Sequence, residues 1–120
     1  MDFQEQAQLH SQIRDALAAA ISERQPPAPA LLATERLCPT GCWLHGPGAR
    51  RWAGNHTFLC VSETHRAFHR EVDAIAGQIA RGEWHDAQKA LRQGAALAQA
   101  LGDPTAALRR MRTAAATLAA

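Results

Sequence analysis

Residues 55–81, Asn-His-Thr-Phe-Leu-Cys-Val-Ser-Glu-Thr-His-Arg-Ala-Phe-His-Arg-Glu-Val-Asp-Ala-Ile-Ala-Gly-Gln-Ile-Ala-Arg, decide the fold. Phe58, Val61, His65, Phe68, Val72, Ile75 and Ile79 recur in steps of three and four. That heptad-like stripe predicts one long helix from about Asn55 to Arg81 with a continuous core-facing side. His65 takes a core position in the stripe and His69 flanks it. Four residues apart on a helix, the two imidazoles lie on one face about one turn apart. Gly82 ends the helix.

Upstream, Phe3 to Arg24 reads as a first helix, with Phe3, Leu9, Ile13, Leu17 and Ile21 as its apolar stripe. His10 precedes Ile13 and Leu17 by three and seven positions and so points toward the same core. The run Gln25-Pro26-Pro27-Ala28-Pro29-Ala30 ends that helix. A short helix is expected from about Leu31 to Leu37, stopped by a turn over Trp43-Leu44-His45-Gly46-Pro47-Gly48.

Downstream, Glu83 to Leu101 carries Trp84, Ala87, Leu91, Ala95, Ala98 and Leu101 on one face. Gly102-Asp103-Pro104 reads as a helix stop, an N-cap and a first helical position. A last helix to about Leu118 buries Leu108, Met111 and Ala115. The expectation is an all-α fold, a four-helix bundle with one additional short helix in the first connection. At 120 residues it is a single domain, 1–120. The hairpin-like stretch from Gly82 to Leu108 is one unit only, and a solenoid needs about three or more.

Composition agrees. Aromatic residues are 5% of the chain and Tyr is absent, while Ala dominates, which favours helices over sheet. The net charge is +2, and the densest basic cluster is Arg109-Arg110-Met111-Arg112. A nucleic-acid binder would carry a denser stripe, so no nucleic-acid partner is expected. No apolar stretch approaches the roughly 20 residues of a membrane span, and the polar start Met1-Asp2-Phe3-Gln4-Glu5 is not a signal peptide. Three cysteines do not make a disulfide framework, and a reducing, cytoplasmic location is expected.

His10, Cys38, His65 and His69 together supply three imidazoles and one thiolate, a complete tetrahedral zinc shell if folding brings them together. The plain alternative is a set of hydrogen-bonded core histidines and a small buried thiol. Cys42 and Cys60 read as such buried thiols, although Cys38 and Cys42 could also form a two-thiolate site. His45, His56 and His85 fall in turns or near helix ends and read as exposed. A metalloprotease signature would place Glu directly after the first histidine, and Arg66 stands there. Glu63 and Glu71, the nearest carboxylates in sequence, lie off the core face, so no enzyme is expected.

Three blocks of the chain resemble the chemoreceptor zinc-binding (CZB) domain family: His10 midway along the first helix; Cys38-Pro39-Thr40-Gly41-Cys42-Trp43-Leu44 followed by Gly46 and Gly48; and His65-Arg66-Ala67-Phe68-His69. The resemblance spans His10 to about Met111. It implies a helical bundle holding Zn2+ through His10, Cys38, His65 and His69, with Cys38 as the single thiolate. It further implies a regulatory module of bacterial cytoplasmic signalling, often a homodimer. Such modules are attached to chemoreceptor or diguanylate cyclase domains and sense zinc, or oxidants such as hypochlorous acid, through the bound cysteine. Two positions depart from the family pattern: Cys42 stands where a basic residue is common, and His45 where an aromatic one is. With no output domain in these 120 residues, a signal would pass to a separate signalling protein or through self-association, unless the chain is a piece of a longer protein.

Overall fold

The computed structural model describes the backbone of residues 1–101 and 104–119, and the side chains of residues 1–29, 32–94 and 106–117. Four long helices carry the fold: α1 (Phe3–Glu23), α4 (His56–Ala80), α5 (Trp84–Leu101) and α6 (Pro104–Ala119). Between α1 and α4 lie a single 3-10 turn, Pro29–Leu32, and two six-residue helices, α2 (Pro39–Leu44) and α3 (Pro47–Trp52). The architecture is an all-α bundle. α1 packs on α6, α5 and α4, and α4 packs on α5 and α6. Among the described residues no helix is long and apolar enough to cross a membrane.

The ends of α4 fall where its sequence pattern puts them. Asn55 caps it, its side-chain Oδ1 accepting from the Phe58 N–H at 3.0 Å. Gly82, at φ 73°, makes the turn into α5. α1 opens the same way, with the Asp2 carboxylate accepting from the Glu5 N–H at 3.0 Å. Its other end precedes the prolines. Arg24 adopts a left-handed conformation, and the Gln25 N–H closes back on the Ala20 carbonyl at 3.0 Å.

The first connection corrects the sequence reading. There is no helix over 31–37: the 3-10 turn stops at Leu32, and Glu35–Leu37 form a turn. The helical segments lie further on, and the stretch read as one turn over 43–48 holds the end of α2 and the start of α3. Pro39 and Pro47 are the reason. A proline at the first helical position lacks only an N–H that has no partner there, so it starts a helix as readily as it ends one. Cys38 is the N-cap of α2, and its Sγ accepts from the Gly41 N–H at 3.3 Å.

Two apolar clusters fill the bundle. One joins α1, α4 and α5 through Ile13, Leu17, Phe68, Val72 and Ile75, among others. The other joins α1, α2, α4 and α6 through Ala7, Leu44, Phe58, Val61, Leu108 and Met111. Ala115 is only half-buried. The Gly102-Asp103 junction, and the side chains of Ala95, Ala98 and Leu101, lie outside the described residues.

Candidate metal centre

The four sequence-selected residues converge between the two apolar clusters. On α1, Ala7 belongs to one cluster and Ile13 to the other, with His10 between them. On α4, Val61 and Phe68 likewise flank His65. His10, Cys38, His65 and His69 are exposed by only 1%, 3%, 0% and 2%. Their four potential donor atoms lie within 4.8 Å of one another. Cys38 Sγ is 3.1 Å from His65 Nε2 and 4.0 Å from His10 Nε2, and His69 Nε2 is 3.1 Å from His65 Nε2.

The surroundings set the tautomers. His10 Nδ1 donates to the Gln6 carbonyl at 2.7 Å, because a carbonyl only accepts. His65 Nδ1 likewise donates to Glu35 Oε1 at 3.3 Å. In the neutral rings, both Nε2 atoms therefore carry lone pairs facing the Cys38 sulfur. This buried pocket is rich in lone pairs, the kind of setting that could hold a metal cation. His69 Nδ1 is buried without a well-formed hydrogen bond, with the Ala33 backbone as its polar neighbour.

Burial shifts the ionisable groups toward their neutral forms. Burial first, and then the neighbouring His10 and His69, bring His65 down to about 3 against the opposing pull of Glu35. Burial also lowers His69. It raises the Cys38 thiol, against the opposing N–H groups of Gly41 and Thr40. Burial pushes Glu35 up as well, but the hydrogen bonds and charge of His45 and His65 outweigh it and hold its carboxyl below the ordinary value.

Close packing fixes the Cys38 loop. A Cβ on Gly41 would stand 1.5 Å from the Glu35 carbonyl oxygen, so only glycine lets the chain pass there. Thr40, fully buried, donates to Gln6 Oε1 at 2.7 Å. Gln6 thus holds His10 with its backbone and the loop with its side chain. Trp43 packs edge-on against Phe3 at 5.2 Å and Phe58 at 5.8 Å, and a Cβ on Gly48 would come within 2.8 Å of its ring.

The other sequence-selected side chains lie elsewhere. Cys42 is exposed, with its thiol against the Arg36 carbonyl at 3.3 Å, and Cys60 is only half-buried beside His56. Both depart from the buried-thiol reading, because Cys42 lies on the solvent side of a helix too short to bury more than one face. His45, His56 and His85 are exposed, as expected. Glu63 is exposed, and Glu71 pairs with Arg14 at 3.3 Å.

Sequence reading missed Glu35, Gln6 and Thr40. No periodicity marks them, and only the fold brings them to the four candidate ligands. The buried cluster has the make-up of a metal-binding shell and is compatible with the CZB resemblance. No family model matches the chain. No match was found among curated proteins or among solved structures.

Proposed function

We propose that this chain is a zinc-binding regulatory module of the CZB kind, acting in bacterial cytoplasmic signalling through a closed His3Cys site. The observation that carries this reading is the convergence of four buried donor atoms, three nitrogens and one sulfur, within 4.8 Å. A zinc tetrahedron with Zn–N of about 2.0–2.1 Å and Zn–S of about 2.3 Å has N···N edges of roughly 3.3–3.4 Å and S···N edges of roughly 3.6 Å. The two S···N separations, 3.1 and 4.0 Å, bracket the sulfur edge, and the 3.1 Å N···N separation is slightly shorter than the nitrogen edge. The mixed nitrogen and sulfur donor set favours zinc over the harder divalent cations.

When bound, zinc supplies a charge that keeps Cys38 a thiolate and a bond network spanning three chain segments. His10 anchors α1, His65 and His69 anchor α4, and Cys38 anchors the start of α2. Four protein donors leave no position for a reactive water, which favours a sensory role over a catalytic one. In the oxidant-sensing form, the Cys38 thiolate attacks hypochlorous acid. The sulfur is oxidised to sulfenic acid and chloride leaves, and sulfenic acid is a poorer metal ligand. The signal then passes to a second copy of the chain or to a separate partner of the chemoreceptor or diguanylate cyclase type.

A second reading is a structural zinc bundle serving dimerisation or docking. The position of the shell between two apolar clusters favours it. The first test is the metal content of the purified protein beside its Cys38→Ala variant. The expected result is about one zinc per chain in the parent and far weaker binding in the variant. A parent that stays metal-free after reconstitution under reducing conditions overturns the zinc reading. Zinc held unchanged through oxidant treatment, and not exchanged near cellular free-zinc levels, would leave the structural reading in place of the sensory one.

A further inference from the structure

The four ligands are closed off from water, yet a charged ion crosses an apolar core only at high cost. Among the described residues, a chain of polar side chains leads outward from His65. Side-chain exposure rises from 0% at His65 to 17% at Glu35 and 29% at His45. Glu35 Oε1 accepts from His65 Nδ1 at 3.3 Å. On the solvent side, His45 Nε2 lies 2.8 and 2.9 Å from the two oxygens of the same carboxylate. The Glu35 backbone also reaches the site, since its carbonyl is 3.9 Å from Cys38 Sγ. Glu35 therefore touches two of the four ligands, and His45 pins its carboxylate from outside.

We propose that the hydrogen-bonded Glu35–His45 pair is the gate of the metal shell: it closes this polar route to His65 and must part for zinc to enter or leave. Glu35 is also a positioning residue, because it fixes the His65 tautomer that presents Nε2 to the metal. The inference rests on the zinc reading above. Its signature is kinetic. Opening a gate speeds loading and release alike and leaves the equilibrium between them nearly unchanged. Removing the orienting carboxylate weakens the equilibrium itself, since partners that orient ligating histidines typically carry about 10–100-fold in metal affinity.

The experiment measures zinc loading and chelator-driven release by stopped flow, with affinity by competition titration, in the full chain. In His45→Ala, both rates are expected to rise about fivefold or more with affinity within about threefold of the parent. In Glu35→Ala, release is expected to accelerate and affinity to fall by about 10–100-fold. Glu35→Gln keeps an oxygen for His65 and should show fast exchange with most of the affinity retained. His56→Ala, an exposed histidine outside this route, should match the parent. Rates in His45→Ala within twofold of a zinc-binding parent would overturn the gate. So would an equal acceleration in Ile75→Ala, which loosens the bundle in the α1–α4–α5 cluster away from this pair. A parent that binds no zinc fails at the earlier step and removes both readings together.

Discussion

At the scale of single residues, the site depends on side chains that are absent as much as on those present. Gly41 is the clearest case. Its missing Cβ makes room for the Glu35 carbonyl, while its N–H donates to the Cys38 sulfur. Gly41→Ala is expected to displace the loop and weaken zinc binding by about tenfold or more, the scale seen when groups that orient metal ligands are lost. A competition titration reads this directly, and unchanged affinity would mean that the loop has slack the packing does not show. The three thiols differ as sharply. Cys42 is exposed, Cys60 half-buried and Cys38 buried. Timed alkylation of the metal-free protein followed by mass spectrometry should modify Cys42 first and Cys38 last. Early labelling of Cys38 would show that the apo chain opens at the site.

At the scale of elements, α4 holds two of the four candidate ligands and depends on its own cap. Asn55→Ala removes the bond to the Phe58 N–H and should cost about 1 kcal/mol of stability. His65 and His69 lie more than two turns further along, so zinc affinity should stay close to that of the parent. Denaturant melts beside metal titrations check both halves. The short helices teach a different lesson. α2 is only six residues long and could not persist alone. Pro39 starts it, the Cys38 sulfur caps it, and Trp43 anchors it between Phe3 and Phe58. A metal bound at Cys38 would therefore act on the end of an element held mainly by tertiary contacts.

At the scale of the whole molecule, the polar shell divides the core into two apolar clusters. Structural zinc sites in small domains contribute about 10–16 kcal/mol of apparent free energy, against total stabilities of about 5–15 kcal/mol. Chelation is therefore expected to lower the melting temperature by about 10 °C or more and to reduce amide protection in α1 and α4 together. An unchanged melting curve after verified metal loss would show that the clusters suffice without it. Core packing away from the site should behave otherwise. Leu108 on α6 is fully buried, and Leu108→Ala should cost about 2–5 kcal/mol while one zinc still binds per chain.

Much of this protein was legible in its sequence, because helices write their buried face at a fixed period. The stripe from Phe58 to Ile79, with Gly82 after it, specified the extent of α4, and the same periodicity placed His10 beside Ile13 and Leu17. Donor chemistry and spacing brought the four candidates forward, and the CZB resemblance chose Cys38 over Cys42. Proline and glycine were harder to read, since either can open or close a helix, and so α2 and α3 went unseen. Only the tertiary structure decided that Cys38 faces inward while Cys42 faces out, and that Glu35 orients His65 under the cover of His45. The physical reason is the range of the interactions. Periodicity records which side of a helix leaves water, whereas a hydrogen bond between residues 30 positions apart leaves no trace in local sequence.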